Sequence, residues 1–514
     1  MRAEFNNDEM ENLLKNVVSA KYPQNPIEIL NDLHEISPPN AISKEEVVSS
    51  VQEFFADANI FITGGTGFLG IVLIEKLLRS CPRICHIYVM VRKKKNSSPS
   101  ERFNKIFANE LFDKLKNQQP NFREKLSPII GCISEPDLGL NAEDLQLLHN
   151  NVNIIFHCAA TVRFDEDLNK AVKINTLGTR EIIKLANDIR NLKVLMHVST
   201  AYSFCIRCQI EEKIYRLEDD YQDIIDLVEN ADDYEIKQKE LQILQKWPNT
   251  YVYTKALSEC LIESEGKGLP IGIFRPSVVI STYREPIKGW INNYNGPVAP
   301  LLSANLGILR IFPGNLNYNA TNLVPVDFVV NAIICTSRQT AMNFERVKDT
   351  KTTLPIYNFI SEDENSVTWK HLSNKEQFEQ WPSTNVTWYY SLQGVENEIL
   401  YKIFIIFLHI IPAYVIDFFT KISGGKPKFV HTYNKLHNLL SKLKFFIKRK
   451  WIFITHNTNH TWNELSLADK EQFCFDTKMI NWNKFVNYLN LGFRVYLLHD
   501  DINTLQSARV KIRR

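Results

Sequence analysis

Short apolar runs alternate with longer amphipathic stretches through the first three quarters of the chain. Runs of four to six apolar residues are typical of strands buried on both faces, and the stretches between them are long enough for helices. This alternation predicts a Rossmann-like α/β fold, a doubly wound parallel sheet with helices on both faces. The predicted strands are residues 60–63, 86–91, 127–130, 154–157, 194–198 and 271–274.

Both ends of the chain depart from this pattern. The first 50 residues are polar and contain four prolines, which predicts an extension or a partly ordered arm. Near residue 390 the alternation stops, and a strongly apolar stretch is followed by basic residues and an aromatic-rich tail. We therefore predict a polar extension at 1–50, an α/β domain at 51–390, and a smaller, mainly helical C-terminal domain at 391–514 with its apolar segment at 399–419.

Composition and charge exclude some classes of protein. The 514 residues include 60 Lys and Arg against 58 Asp and Glu, so the chain lacks the basic excess of a nucleic-acid-binding protein. Nine scattered cysteines without an apolar signal sequence predict reduced thiols on the cytosolic side of any membrane. The pair Cys205 and Cys208 has no further ligands at suitable spacing nearby, and we expect no metal site.

A glycine-rich turn follows the first predicted strand and opens a helical stretch that continues through Arg79. Backbone N–H groups in such a turn, together with the positive end of the helix, bind a pyrophosphate. The strand before the turn and the helix after it favour a dinucleotide site over a glycine turn without a ligand. The residues expected to contact the cofactor here are Gly64, Thr66, Gly67, Phe68, Leu69 and Gly70.

The end of the second predicted strand indicates which cofactor is bound. Sites for NAD usually carry a carboxylate about 20 residues after the turn, where it binds the ribose 2′-hydroxyl. This chain has Val91, Arg92, Lys93, Lys94 and Lys95 there, with no acid. Because a guanidinium pairs with phosphate through two hydrogen bonds, Arg92 is the expected ligand of a 2′-phosphate, and NADPH the expected cofactor. A solvated basic loop would explain Lys94 and Lys95 equally well.

A tyrosine and a lysine lie four residues apart in the helical stretch after residue 249. A helix places Tyr251 and Lys255 on one face. A nearby ammonium stabilises a phenolate, and the tyrosine can then donate its proton to a carbonyl oxygen as hydride arrives at the carbon. The pattern Y-x-x-x-K is common by chance, and Tyr253 lies close by, so the assignment depends on position in the fold.

Polar residues elsewhere complete the predicted site. Ser199 and Thr200 follow a strand at the sheet edge where ligands bind, and a hydroxyl there can stabilise charge on the carbonyl oxygen. Asn175 could link Lys255 to solvent through a water. Each hydroxyl alone could be a strand-end cap, but these residues in this order with Tyr251 favour a reductase.

The chain resembles the alcohol-forming fatty acyl-CoA reductases from about residue 50 to its end. The resemblance extends well beyond the generic reductase motifs. The matching stretches are residues 61–70 (FITGGTGFLG), 157–166 (HCAATVRFDE), 197–202 (HVSTAY), 274–277 (FRPS), 289–291 (GWI), 323–327 (LVPVD) and 492–498 (GFRVYLL).

This resemblance implies an extended short-chain dehydrogenase fold and reduction of a long-chain acyl-CoA to a primary alcohol, with two NADPH and an aldehyde intermediate. It implies Tyr251 as proton donor with Lys255 as its partner, Thr200 with Ser199 as the hydroxyl position, and Pro276 beside the cofactor. It also implies an intracellular membrane, peroxisomal or of the endoplasmic reticulum, with the protein facing the cytosol.

Three positions depart from the family pattern. Cys132 stands where an aspartate is usual, which puts one adenine contact in doubt. Phe204 stands where an asparagine is common, and Asn292 where an aspartate is common. None of these changes removes a predicted catalytic group.

The apolar segment and the basic residues after it suggest contact with lipid. Residues 403–416 contain no charged side chain, but 14 residues fall short of the about 20 that span a bilayer. A spanning helix, an interfacial helix and a buried core helix all remain open. Between Lys421 and Lys450 there are nine Lys or Arg and no acid. Such a stretch is attracted to anionic leaflets, although it could instead bind the phosphates of CoA.

Three alternatives to the alcohol-forming reductase remain. An aldehyde-releasing acyl-CoA reductase would use the same residues. A nucleotide-sugar epimerase would share the first domain but has no use for an apolar segment with a basic flank. A catalytically silent protein that binds NADPH and lipid would not need the intact set of Thr200, Tyr251 and Lys255. The expected partners are a long-chain acyl-CoA and a membrane, without nucleic acid.

Overall fold

A sheet of seven parallel strands lies at the centre of the molecule. The structure is a computed structural model that describes residues 49–93, 98–318, 322–346, 354–361 and 363–513. Residues 1–48 of the predicted extension, together with Lys94 and Lys95, lie outside the described residues. The sheet confirms the predicted class, a Rossmann-like doubly wound α/β fold.

The strand order shows where the winding reverses. The first strand pairs with the second on one side and with the fourth on the other, so the sheet is β7-β6-β5-β4-β1-β2-β3. In open sheets of this kind, ligands bind outside the carboxyl ends of the strands at such a reversal. The strands are β1 (Asn59–Thr63), β2 (His86–Val91), β3 (Leu126–Ile130), β4 (Ile154–His157), β5 (Val194–Val198), β6 (Ile271–Pro276) and β7 (Ile356–Phe359).

Alternate residues of each strand enter two separate cores, because successive side chains point to opposite faces of a sheet. Ile60 and Ile62 of β1 pack in one core, and Phe61 packs in the other. The first core is covered by helices Ser50–Phe55, Phe68–Ser80, Pro99–Phe107, Val298–Asn305 and Val326–Arg346. The second is covered by helices Ala142–Asn151, Gly178–Asp188, Tyr221–Asn230, Asp233–Lys246 and Thr250–Glu265.

The C-terminal part is mainly helical and packs directly on the α/β part. The Asp469 carboxylate accepts hydrogen bonds from the Ser49 and Ser50 hydroxyls at 2.5 and 2.7 Å. The strand Ile452–Phe453 pairs with Gln209–Ile210. Helices in this part are Phe429–Ile447, His456–Glu464, Leu467–Gln472, Trp482–Gly492 and Leu505–Arg513.

An apolar helix and a basic helix form an antiparallel hairpin at the start of this part. The apolar helix covers Glu398–Ile422 and includes the predicted segment 399–419. Near its end, the Asp417 carboxylate accepts the backbone N–H groups of Phe429 and Val430, which open the basic helix Phe429–Ile447. At its other end, Glu398 pairs with Lys444 at 2.6 Å. The two helices therefore contact each other near both ends of the hairpin.

Candidate active site

The predicted site residues lie at the carboxyl edge of the sheet, where β1, β5 and β6 end. The backbone N–H of Ser199 donates to Phe274 at 2.7 Å, and that of Ala201 donates to Pro276 at 2.9 Å. The sheet hydrogen bonds thus continue past β5 and place Thr200 beside Pro276. The glycine-rich turn leaves the same edge directly after Thr63.

The glycine-rich turn is shaped to hold a dinucleotide. Gly64 has a φ of 71°, and a Cβ there would lie 2.7 Å from the backbone nitrogen of Ala159. A Cβ on Gly70 would lie 2.4 Å from the Gly64 oxygen, so the helix packs closely against the turn. Helix Phe68–Ser80 begins after Gly67, which has no side chain to cap it, and its first N–H groups are available to a phosphate.

Other residues of the turn line the same opening. Thr66, Phe68 and Leu69 are partly exposed. The Phe68 ring stacks on Trp290 with centroids 5.7 Å apart, and the Trp290 indole donates to Asn109 at 3.0 Å. The residues present therefore fit a dinucleotide whose pyrophosphate binds the start of this helix.

The end of β2 presents two arginines rather than one. Arg92 is exposed, and its carbonyl oxygen accepts a hydrogen bond from the Arg102 guanidinium. The carboxylate of Glu101 and the hydroxyl of Ser98 form a capping box that starts the helix carrying Arg102. Sequence reasoning missed Arg102, although the Ser-Pro-x-Glu start of that helix was a visible signal. The two guanidinium groups make a cationic rim beside the turn.

Tyr251, Thr200 and Lys255 come together on one side of this edge. Burial raises the pKa of Tyr251 to about 12, and the neighbouring Thr200 hydroxyl partly opposes this rise. Lys255 lies one turn further along the helix and is fully buried. Burial lowers its pKa to about 8, against the opposing effect of Glu259. The phenol is thus protonated at neutral pH, and Lys255 remains largely charged.

Ser199 faces a different set of groups from Thr200. Its hydroxyl donates to the Glu259 carboxylate at 2.5 Å. Glu259 forms a fully buried ion pair with Arg275, whose guanidinium also donates to the backbone oxygens of Glu211 and Lys213 at 3.0 Å. Ser199 therefore contacts the ion pair, whereas Thr200 contacts the phenol.

Asn175 lies in a π-helical turn, Val172–Leu177, between β4 and β5. Turns of this kind often occur at functional sites. Its side chain accepts from the Thr161 N–H at 2.9 Å and donates to the Thr254 hydroxyl at 2.9 Å. Asn175 thus braces helix Thr250–Glu265, which carries Tyr251 and Lys255 and is called the catalytic helix below. The direct contacts to the Lys255 ammonium come from β5.

Those contacts involve a histidine that sequence reasoning did not select. The Lys255 ammonium donates to the Val198 oxygen at 2.8 Å and to the Nε2 of His197 at 3.0 Å. His197 is buried at the end of β5, and its ring lies 5.0 Å from that of His157 in β4. The position of His197 two residues before Ser199 was the available signal.

An aromatic cluster connects the site to the C-terminal part. The Phe164 ring lies 6.2 Å from Tyr251 and 5.7 Å from Phe446 of the basic helix. An ion pair between Lys442 and Asp165, 3.1 Å apart, joins the same two segments. Phe446 was not predicted, because nothing in the local sequence distinguishes it from other aromatic residues of the tail.

The structure shows the surroundings of the three residues that depart from the family pattern. The Cys132 sulfur contacts the Ser134 hydroxyl at 3.2 Å. Phe204 is buried, packs on Tyr215 and lies under the Arg275 guanidinium. Asn292 is exposed.

Two family descriptions and many related sequences match this chain. Residues 62–333 match an NAD-binding family described as Male sterility protein, and residues 408–500 match the Sterile family of the same description. The chain is 37% identical over 470 residues to Fatty acyl-CoA reductase 1 of Mus musculus, covering 90% of this chain and 88% of that protein. It is also 37% identical over 470 residues to Fatty acyl-CoA reductase wat of Drosophila melanogaster, covering 91% of this chain and 89% of that protein.

Solved structures share the fold at lower sequence identity. The terminal R domain from the myxalamid PKS-NRPS biosynthetic pathway has a TM-score of 0.56 at 21% identity, over 85% of this chain and 91% of that one. The reductase domain of a non-ribosomal peptide synthetase from Mycobacterium tuberculosis has a TM-score of 0.54 at 17% identity, over 86% and 92%. Both likenesses concern the fold.

Fold and site together define an NAD(P)-dependent oxidoreductase of the extended short-chain dehydrogenase class. The glycine-rich turn at the winding reversal and the paired hydroxyls at the end of β5 are the features that define this class. Within it, the chain belongs to the fatty acyl-CoA reductase family, which confirms the resemblance seen in the sequence.

The two neighbouring tyrosines allow a matched test of the site. Tyr251→Phe removes the phenol that contacts Thr200, and we expect it to lower the reduction rate by roughly 10²- to 10⁴-fold, the usual contribution of general acid catalysis. The dissociation constant of this variant for the cofactor, measured by fluorescence titration, should stay within about twofold of the value for the unaltered protein, because the phenol acts in the transition state.

Tyr253→Phe is the control, because the Tyr253 hydroxyl donates to Asp219 at 2.9 Å, away from Thr200. We expect this variant to keep most of its activity. A dead Tyr253→Phe variant beside an active Tyr251→Phe variant would contradict the register of the site.

Proposed function

We propose that this protein reduces a long-chain or very-long-chain fatty acyl-CoA to the primary alcohol, with two NADPH and release of CoA. The neighbouring hydroxyls of Thr200 and Tyr251, at the same sheet edge as the dinucleotide turn, are the observation that carries this proposal. Two donors at one point can hold a carbonyl oxygen while negative charge develops on it. The relatives named fatty acyl-CoA reductases support the thioester as substrate.

In the first reduction, the thioester oxygen takes the place that the two hydroxyls share. NADPH, when bound, would supply the hydride that reduces the carbonyl carbon. Thr200 and Tyr251 stabilise the resulting oxyanion by hydrogen bonds. The oxyanion then re-forms a carbonyl and expels the CoA thiolate, so this step needs hydrogen-bond donation and no net protonation of the oxygen. The product is the aldehyde, which still lies against the same two hydroxyls.

In the second reduction, the oxygen must keep a proton, because the aldehyde has no leaving group. Tyr251 donates its phenolic proton to the alkoxide oxygen. The Lys255 ammonium, one helical turn away, stabilises the phenolate that remains. One set of side chains thus serves both steps, and Ser199 and Asn175 support it through the ion pair and the catalytic helix.

NADPH is the proposed cofactor because the rim at the end of β2 is cationic. Arg92 and Arg102 lie together there, and exposed Lys93 follows. A guanidinium binds a 2′-phosphate with charge-assisted hydrogen bonds, whereas NADH offers only a hydroxyl at that position. Gly64, Gly67 and Gly70 would hold the pyrophosphate, and Pro276 would lie near the nicotinamide end.

We also propose that the apolar helix attaches the protein to the cytosolic face of an intracellular membrane. Among the described residues, Glu398–Ile422 is the candidate helix long and apolar enough to cross a membrane. Its exposed residues form a broad stripe that includes Ile399, Phe407, Phe418 and Ile422. The basic helix beside it supplies charges that attract an anionic leaflet.

The contacts of this helix favour an interfacial position over a spanning one. His409 is buried, accepts from the backbone N–H of Arg310 at 3.1 Å and contacts His437 at 3.1 Å. Ala413 is buried on the same side. The middle of the helix is therefore held against protein on one face, and the opposite face is exposed and can enter lipid.

Reaction stoichiometry distinguishes the alcohol from the aldehyde as product. We expect close to two NADPH oxidised for each CoA thiol released, measured by absorbance and a thiol reagent in one reaction. With an aldehyde as substrate, one NADPH should be consumed and no thiol should appear. A ratio near one from acyl-CoA, with aldehyde trapped by a hydrazine reagent, would identify an aldehyde-releasing reductase instead.

The choice of cofactor can be tested at Arg92. Arg92→Ala should raise the dissociation constant for NADPH by about tenfold or more, as expected for loss of a hydrogen bond to a charged group, and leave that for NADH nearly unchanged. Lys93→Ala removes a neighbouring exposed cation and should have a smaller effect. Equal weakening of both cofactors by Arg92→Ala would refute its assignment to the 2′-phosphate.

Charge on the apolar stripe should abolish membrane binding. We expect the double variant Phe407→Asp and Phe418→Asp to stay in the supernatant with phosphatidylserine-containing vesicles, under conditions where the unaltered protein sediments. Leu467→Asp, at an exposed position on another helix, is the control and should sediment normally. The lipid-facing assignment would be contradicted if the double variant sedimented with the vesicles. It would also be contradicted if the unaltered protein did not sediment at low salt.

A further inference from the structure

The Lys255 ammonium has more hydrogen-bond capacity than the proposed chemistry uses. It carries three N–H donors and no acceptor. One donor is directed to the Val198 oxygen at 2.8 Å and one to the Nε2 of His197 at 3.0 Å. Two of the three donors are therefore fixed by β5, and the direction of the third follows from them.

We propose that His197 is a positioning residue that holds the Lys255 ammonium in its working orientation by accepting a hydrogen bond at Nε2. This role rests on the proposed function of Lys255. Because the ammonium can only donate, Nε2 must accept, and the ring hydrogen lies on Nδ1. That atom is buried and has no hydrogen-bond partner among the described residues, so the proton arrangement is set by Lys255.

The surroundings keep His197 a neutral acceptor. Burial, together with Lys255 and His157, holds the pKa of His197 well below its usual range. His157 contacts the hydroxyls of Thr63 at 2.8 Å and Thr179 at 3.1 Å through its two ring nitrogens, so it does not compete for the ammonium. The pKa of His157 is lowered to about 3 by burial and by Lys255.

The remaining ionisable groups around Lys255 are few. Glu259 lies one turn along its own helix, and Cys158 follows β4. Both favour the charged ammonium, but neither outweighs burial, and the pKa of Lys255 stays near 8. The hydrogen bond to His197 is thus one of two direct contacts on the ammonium itself.

Among the described residues, Asn175 makes no direct hydrogen bond to the Lys255 ammonium. Besides its amide bonds, its backbone oxygen accepts from the hydroxyls of Thr179 and Ser258, each at 2.7 Å. The water link from Asn175 to Lys255 stays a prediction, and the acceptor in direct contact with the ammonium is Nε2 of His197.

Loss of this acceptor should make the charged form of Lys255 less stable. In His197→Leu, the basic limb of the pH profile for aldehyde reduction, expected near pH 8, should move down by about one pH unit. The reduction rate at pH 7.5 should fall about threefold, because a shift of one pH unit lowers the charged fraction of Lys255 from about three quarters to about one quarter. The pH at which NADPH affinity weakens, measured by fluorescence titration without substrate, should move in the same direction.

Two further variants separate positioning from simple packing. His197→Gln keeps an acceptor oxygen within reach of the ammonium and should restore the basic limb to within about 0.3 of a pH unit. His157→Gln alters the neighbouring buried histidine, which does not contact Lys255, and should leave the limb unchanged. If His197→Leu does not fold, His197→Asn serves in its place, because the shorter Asn side chain places its amide oxygen out of reach of the Lys255 ammonium.

An unchanged basic limb in both His197→Leu and His197→Asn would overturn the proposal, and so would equal shifts in the Leu and Gln variants. Failure of the proposed function looks different, because the unaltered protein would then reduce no acyl-CoA. The NADPH titration still reports on Lys255 in that case.

Discussion

The buried ion pair between Arg275 and Glu259 is the contact on which the site depends. It ties the catalytic helix to β6, and its guanidinium also holds the loop that carries Glu211 and Lys213. The Ser199 hydroxyl donates to the same carboxylate, so the end of β5 is fixed by the pair as well. A buried charge without its partner is strongly unfavourable. Thr200, Tyr251 and Lys255 thus derive their relative positions from one electrostatic constraint.

The same core extends across the predicted boundary near residue 390. Tyr294 donates to the Leu497 oxygen at 2.9 Å, and Asn331 donates to the Cys474 oxygen at 2.8 Å. Phe485 and Leu489 are buried in the core that covers one face of the sheet. A chain cut near residue 390 would expose that face, so single substitutions are better probes of the C-terminal part than truncation.

Most of the fold could be predicted from the sequence, and the exceptions have a physical cause. Six strands were predicted from their short apolar runs, but β7 was not, because Asn358 interrupts its run. That buried side chain is satisfied by the oxygens of Ile210 and Ile454, which are remote in sequence. Thr200, Tyr251 and Lys255 were recognisable by spacing and lie together, although their roles stay predictions. His197, Glu259 and Arg102 act through contacts that local spacing does not reveal.

The aromatic cluster that includes Phe446 gives an estimate of the distance between the exposed apolar stripe and Tyr251. Packed helices lie about 8 to 10 Å apart, so one helix layer separates the exposed apolar stripe from Phe446. Two ring contacts, of 5.7 and 6.2 Å, then lead through Phe164 to Tyr251. The path totals roughly 20 Å, against about 15 Å for the hydrocarbon depth of one leaflet. If the exposed apolar stripe contacts lipid as proposed, an acyl chain of that length could have its thioester at the phenol while its far end is still in the bilayer.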